Sequence, residues 1–382
     1  MAALNVGIFT EVYHPTINGV VVSIDTFKQE LTSLGVDCTV FAPTGRGAQQ
    51  ESGVIRLPSF PIHPDYPLPL PWFSESYRGI SQFDFNLIHT QHPFVMGRLG
   101  VRIARRLGIP AITTYHTLIV EYAKTHAKFL PFGPNLMRWI SRDYCNSVDL
   151  VITPSPSMRR ELQRYGVTSR IEVNQTGIYL DRFLQPHKNL REEFGIPRER
   201  KVLFYVGRLA EEKNVSMLLT ALGTMLQETP HVHLLMVGGG PQENEYRRLT
   251  DRTGIAGHVT FAGFLPKEKT ESLFGAADIF VFPSTTDTQG IVIMEAMAAG
   301  TPIVAVDALG PGDIIEDGKT GLLTTNNAAE FAIAILEVLR SSDLAHHLSA
   351  NAKREAQKYS AQETAKRQLS LYRSVLEEKS RI

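Results

Sequence analysis

The sequence predicts an α/β protein of two domains, each a parallel sheet wrapped by helices. Three observations predict this. The chain has 382 residues, too many for one ordinary core and suited to two domains of about 150–200 residues. Short apolar runs alternate with helix-length amphipathic stretches, the pattern of strands joined by helical crossovers. The same grammar occurs twice, on either side of the polar, Gly/Pro-punctuated stretch "NQTGIYLDRFLQPHKNLREEFGIPRERK".

In chain order, the strand candidates of the first half are "NVGIFT", "DCTVFAP", "LIHTQ", "AITTYH" and "DLVITPS". Helical patterns such as "DTFKQELTSLG" and "RLGVRIARRLG" lie between them, each ending in a glycine as a helix C-terminus does. The second half repeats this with "KVLFYVGR", "HVHLLMVGGG", "HVTFAGFL", "DIFVFPS" and "TPIVAVD". Short, wholly apolar strands fit sheets covered on both faces. The expected division is 1–175, 176–357 and a terminal amphipathic helix, 358–382, packing back on the first domain. Two Rossmann-like domains of this kind, with ligand loops at the carboxyl ends of their strands, face one another across a cleft.

Hydrophobic content of 43% and charged content of 20% belong to a soluble globular protein. Only two cysteines are present, Cys38 and Cys145, so neither a disulfide framework nor a cysteine-rich zinc site is expected. A reduced, cytoplasmic setting is predicted. The start "MAALNVGIFTEVYHP" lacks the basic and long apolar segments of a signal peptide, and no run reaches the roughly 20 apolar residues of a membrane span. Net charge is zero, yet Val101–Arg170 carries nine Arg and two Lys against four acids. Such a run is either a solvated face or a surface for an anionic partner. Nucleic acid is not the expected partner.

The second half contains a candidate phosphate site. In "YVGRLAEEKN" a strand ends at Val206, Gly207 lets a backbone approach, and Arg208 and Lys213 follow. Two cations on a strand-to-helix loop can clamp a diphosphate, Arg by forked contacts and Lys as a point charge. The alternative is that Glu211 and Glu212 merely pair with them. Asn214 reads as the N-cap of the next helix. "VGGGP", with Gly238 after its strand, is not GxGxxG and has no acid suitably placed for a dinucleotide ribose, so a nicotinamide cofactor is disfavoured. "TFAGFLP", which includes Phe264, is a third strand-end loop whose backbone groups can hold a planar base.

"PSTTDTQGIVIMEAMAAG" puts Glu295 among Ile293, Met294, Ala296 and Met297, where an acid is costly to bury without a partner. A helix beginning near Gly290 would aim its first amides at a phosphate. Glu295 would then accept from ribose hydroxyls, and Asp287, on the preceding loop, would lie towards a transferred sugar. The alternative is a structural helix whose Glu295 meets a nearby Arg.

Taken in order, "TEVYHPTINGVVVS", "TTYHTLIVEY", "VGRLAEEKN", "VGGGP", "FAGFLP" and "TQGIVIMEAMAAGTPIVA" resemble the retaining nucleotide-sugar glycosyltransferases of family 4, which have the GT-B fold. The resemblance spans nearly the whole chain. It implies that Arg208 and Lys213 hold the donor diphosphate and that Glu295 is the ribose-binding second acid of an E-x7-E motif. Asp287 takes the first acid's place, so this copy reads D-x7-E, one methylene shorter at the sugar. Gln289, Gly290 and Ile291 match the loop and helix start that contact sugar and phosphate. In the first half, Gly19 matches a glycine loop that closes over the donor, with Asn18 in place of a common first glycine. His116 matches a strand-end histidine near the transferred sugar; taken alone, such a residue is more often structural.

"EVYHPTINGV", "TYHTLIVEYAKTH" and "STTDTQGIVIMEAM" are similar to bacterial diacylglycerol glucosyltransferases. The likeness implies hexose transfer from a UDP-sugar to a membrane lipid hydroxyl, with the leaving phosphate helping to take the acceptor's proton. No cofactor or metal beyond the donor substrate is expected, since no Asp-x-Asp motif is visible. Residues 121–142 interleave Lys124, Lys128, Arg138 and Arg142 with Phe129, Leu130, Phe132, Leu136 and Trp139. That mixture suits docking on anionic headgroups at the cytoplasmic membrane face, or a helix packed on a neighbouring domain. Rival readings are a soluble sugar or phosphoinositol acceptor, a nucleotide-sugar epimerase, and a non-catalytic sugar-nucleotide binder.

Overall fold

The computed structural model describes residues 4–16, 18–45, 47–60, 67–70, 79–80, 83–116, 119–120 and 133–381. The chain forms two compact units. The first is Met1–Gly177 together with Ala361–Ile382, and the second is Ile178–Ser360.

In the first unit the strands are β1 (Leu4–Phe9), β2 (Val36–Pro43), β3 (Val54–Leu57), β6 (Leu87–Thr90), β7 (Ala111–Thr114), β8 (Leu150–Thr153) and β9 (Ile171–Val173). They build a seven-stranded sheet in the order β3-β2-β1-β6-β7-β8-β9, every pair parallel. A two-residue ribbon pairs β4 (Ser59–Phe60) with β5 (Leu68–Pro69). β6, β7 and β8 are buried throughout. They are not wholly apolar, however, because Thr90, Thr113 and Thr153 lie in them. Their hydroxyls are satisfied by neighbouring carbonyls: Thr90 Oγ1 donates to Ile112 O at 3.1 Å and Thr113 Oγ1 to Thr90 O at 3.2 Å. A threonine so bonded is tolerated where a bare polar group is not.

The first helix is longer than its amphipathic pattern indicates. It runs Gly19–Ser33, with Asn18 as N-cap accepting from the amides of Val20 and Val21. The three β-branched valines at its start conceal a beginning that the cap enforces. Ala361–Ser380, a 20-residue helix, packs Ala365, Leu369, Tyr372 and Val375 into the core made by β1, β2 and Gly19–Ser33.

In the second unit β10 (Lys201–Val206), β11 (Val232–Val237), β12 (Val259–Phe261), β13 (Ile279–Phe282), β14 (Ile303–Val306) and β15 (Leu322–Thr324) form a parallel sheet in the order β12-β11-β10-β13-β14-β15. Successive side chains alternate between two cores. Leu203 and Tyr205 join Val215–Glu228 and Ala328–Arg340 on one face, while Val202 and Phe204 join Ile291–Ala299 on the other. Within the two large sheets, β3, β9 and β15 have no counterpart among the apolar runs of the sequence, and each lies at a sheet edge, where half-exposure dilutes the apolar signal.

Tyr372 is fully buried, and its hydroxyl lies 2.6 Å from His89 Nδ1. Tyr372→Ala is therefore expected to destabilise the first unit by about 3–5 kcal/mol. Denaturant unfolding followed by hydrogen exchange in β1 and β2 would measure the loss.

Candidate functional site

In each unit the strand order reverses once. β1 has β2 on one side and β6 on the other, and β10 has β11 on one side and β13 on the other. Loops leaving the carboxyl ends of the two strands at such a point diverge and leave a crevice for a ligand. In the second unit those loops are Gly207–Asn214 after β10 and Pro283–Gly290 after β13.

On the β11 side of β10 the crevice has a closed wall. Gly207 N donates to Val237 O at 3.0 Å, Leu209 N to Gly239 O at 3.0 Å and Gly238 N to Gly263 O at 2.8 Å. The backbones pass so closely that a Cβ on Gly238, whose φ is +118°, would lie 2.1 Å from Gly207 O. Only glycine fits there. Phe264 lies over this wall, its ring 2.7 Å from where a Cβ of Gly239 would stand, and it is 85% exposed.

Arg208 is exposed, and among the described residues its guanidinium has no ion pair or hydrogen bond. Glu211 and Glu212 do not neutralise the cations of this loop. Lys213 Nζ instead donates to both carboxylate oxygens of Asp287, at 2.7 and 2.8 Å. Asn214 stands at the N-cap position of Val215–Glu228, but it is left-handed (φ 58°) and its side chain makes no cap bond. Its Nδ2 donates to Pro283 O and to Asn326 Oδ1, at 3.0 and 2.8 Å. The expected N-cap is thus a tie between the β10 and β13 loops.

The helix Ile291–Ala299 begins directly after Gly290, which is left-handed at φ 69° and has no side chain with which to cap it. Gln289 and Gly290 are buried at its entrance, and Ile291 is its first residue. Gly310, which the sequence did not single out, supports this loop. Its amide donates to Asp287 O at 2.8 Å, and a Cβ there would lie 2.6 Å from that oxygen. Glycine in "ALGPGD" was the one available signal.

Glu295 has no hydrogen bond or ion pair among the described residues. Burial pushes its carboxyl up to about 7; Lys267 and Arg182 pull it down and Glu271 pushes it further up. The simple Arg partner of the structural alternative is absent among those residues: Arg182 bonds Glu271, at 3.3 Å.

In the first unit, Gly19 is the exposed first residue of its helix, immediately after the capping Asn18. His116 follows β7, with its Nε2 2.7 Å from Gln91 Oε1. Burial holds its imidazole well below the ordinary range, helped by His92 and His89 nearby. Glu11, another residue the motifs did not single out, is buried after β1 and accepts from Met96 N at 2.6 Å and Gly97 N at 3.4 Å. It supplies the cap that helix Val95–Leu107 lacks from its own Phe94.

Of the basic-aromatic stretch, Lys124, Lys128, Phe129, Leu130 and Phe132 lie outside the described residues. The helix Gly133–Cys145 exposes Leu136 and Trp139 by about half. Arg138 sits 5.9 Å above the Tyr165 ring. Among the described residues no helix is long and apolar enough to cross a membrane.

His89, in β6 of the first unit, donates or accepts between Tyr372 Oη and Thr114 Oγ1, and its complete burial lowers its pKa to about 3. It is neutral in the fold, whereas an unfolded histidine takes a proton near pH 6.5. Its stabilising contribution is complete above that pH and is lost as pH falls towards 3, at up to about 1.4 kcal/mol per pH unit. Unfolding titrations at pH 7.5, 6.5 and 5.5 should show this slope reduced in His89→Gln.

Residues 17–182 match the family model "Glycosyltransferase Family 4" and residues 186–355 match "Glycosyl transferases group 1". An alpha-monoglucosyldiacylglycerol synthase of Streptococcus pneumoniae is 34% identical over 346 residues, covering 88% of this chain and 78% of the relative. A synthase of the same name from Acholeplasma laidlawii is 27% identical over 400 residues, 99% of each chain. Among solved structures, Anabaena Alr3699/HepE in complex with UDP-glucose superposes with a TM-score of 0.76 at 18% identity, covering 99% of this chain and 100% of that one. With both halves matched and a relative above 30% identity along most of its length, the chain belongs to the family 4 glycosyltransferases and has the GT-B fold.

Proposed function

We propose that this glycosyltransferase moves glucose from UDP-glucose to the free hydroxyl of diacylglycerol, with retention at the anomeric carbon. One observation carries the donor side: at the strand-order reversal of the second unit, the loop after β10 holds Arg208, an exposed cation with no ion pair among the described residues, and the loop after β13 leads at Gly290 into the helix Ile291–Ala299. Such an arrangement suits the charge of a diphosphate. The acceptor is supported by the two relatives named as monoglucosyldiacylglycerol synthases. Uridine is supported by the nucleotide bound in the Anabaena protein.

In this reading the bond between the anomeric carbon and the diphosphate oxygen breaks, and the acceptor oxygen bonds to that carbon on the same face. The acceptor's proton passes to the departing phosphate oxygen. Arg208, Lys213 and the amides near Gly290 stabilise the charge gathering on that phosphate, most strongly when it is most developed. Glu295 accepts from the ribose hydroxyls, Gly207, Gly238 and Phe264 frame the base, and Gln289 and Ile291 border the sugar. On the first unit, His116 is assigned to the transferred sugar and Gly19 to a glycine loop over the donor. The exposed face of Gly133–Cys145 suits a peripheral site on anionic lipid.

Product analysis tests the reaction. Incubation with UDP-glucose and vesicles containing diacylglycerol should give an α-linked glucolipid, identified by its anomeric proton coupling; a β-linked product, or glucose without lipid product, would overturn the reading. Arg208→Ala should lower kcat/KM by about 10- to 150-fold through loss of a charge-assisted contact. Glu295 gives a pH test. With its carboxyl at about 7, protonation at lower pH removes the ribose acceptor. UDP affinity of the native protein should therefore fall below pH 7 more steeply than that of Glu295→Gln, as read by calorimetry.

A further inference from the structure

The assignments above give Lys213 to the diphosphate and Asp287 to the sugar, yet these two side chains hold each other. Nζ donates to both carboxylate oxygens, at 2.7 and 2.8 Å, and each side chain is 23% exposed. The pair spans the point of strand reversal, joining the turn Glu211–Lys213 after β10 to the loop after β13. The backbone beneath it is fixed independently. Gly310 N donates to Asp287 O at 2.8 Å, Thr286 Oγ1 to Glu212 O at 3.1 Å and Asn214 Nδ2 to Pro283 O at 3.0 Å. The carboxylate is therefore aimed at Lys213 from a held loop.

An ammonium has three donors, and Asp287 takes two of them. A phosphate oxygen needs the same donors, and the aspartate's charge opposes a dianion at that place. We infer that the Asp287 carboxylate is an internal stand-in for the donor's diphosphate: donor binding exchanges the partner of Lys213 from carboxylate to phosphate, and the freed carboxylate turns to the hydroxyls of the hexose. This rests on the diphosphate reading of Lys213. No covalent bond changes in the exchange. Arg208, with no partner to displace among the described residues, makes the first contact. The sugar contact then becomes available only after the diphosphate has taken Lys213, which ties sugar binding to an intact nucleotide sugar.

The test is a double-mutant cycle on UDP binding, measured by calorimetry with the full chain and its Lys213→Met, Asp287→Asn and doubly substituted forms. Competition predicts that Asp287→Asn tightens UDP. It also predicts that Lys213→Met weakens UDP by a factor about fivefold larger in the Asp287→Asn background than in the native one. Bare pyrophosphate should show the same sign. An equal or smaller factor in that background means that Asp287 positions Lys213 rather than competing for it, which overturns the exchange and leaves the diphosphate reading standing. No effect of Lys213→Met in either background overturns both. Asp287→Ser repeats the cycle if circular dichroism shows Asp287→Asn misfolded.

Discussion

The candidate site of the second unit depends on how far β10 stays bonded to each neighbour. Its pairing with β11 runs the full length, to Val206 opposite Val237, and continues through the amides of Gly207 and Leu209. Its pairing with β13 ends earlier, at Phe204 opposite Phe280. One flank is therefore sealed by backbone, while on the other the chains separate two residues before the strand is finished. The crevice opens on that unpaired side. Parallel strands require long crossovers, so the loops entering it come from segments far apart in sequence.

A sealed wall beside an open crevice explains the residue types around it. On the wall, main chains approach closely enough to exclude any Cβ at Gly238 and Gly240, where the nearest carbonyl oxygens would stand at 2.1 and 2.4 Å. On the open side, polar side chains replace the missing ladder bonds. Asn214 reaches Pro283 O, Thr286 reaches Glu212 O, and Lys213 reaches Asp287. These bridges hold the loops at a fixed separation without filling the space as a further strand pair would. The first unit solves its own reversal differently. Thr10 N and Gln91 N extend the ladders on both sides of β1, to Phe41 O and Phe9 O, and the buried Glu11 carboxyl then caps the helix that follows β6.

Much of this was legible because parallel sheets covered on both faces leave dense apolar runs. β1, β2, β6, β7 and β8 in one unit, and β10 to β14 in the other, correspond to such runs. β3, β9 and β15 leave no such run, because a half-solvated edge strand reads as loop. Gly19–Ser33 was seen only from Asp25 onward, because three consecutive valines suit a strand as well as a helix. In the site, Gly207, Gly238 and Gly290 were readable from backbone need alone. Partnership was not. Lys213 and Asp287 lie 74 residues apart in the chain, and charge identity cannot say whether an acid faces a ligand hydroxyl or a neighbouring ammonium. Asn214 shows the same limit: its place before a helix was correct, but a left-handed backbone turned its side chain to another loop.

Position 287, where the resemblance leads one to expect a glutamate, is where that limit matters most. A glutamate carries its carboxylate one methylene further from the main chain than an aspartate does. At position 287 the main chain is pinned by Gly310, so side-chain length alone sets the reach of the carboxylate across the crevice. The two near-equal distances to Lys213 Nζ, 2.7 and 2.8 Å, mean that aspartate's length suffices for a forked contact with the ammonium. Aspartate at 287 thus reaches the lysine with both oxygens and keeps its negative charge beside the ammonium. Side-chain length at one position therefore bears on which partner an acid can reach from a fixed backbone, without any change in the fold that carries it.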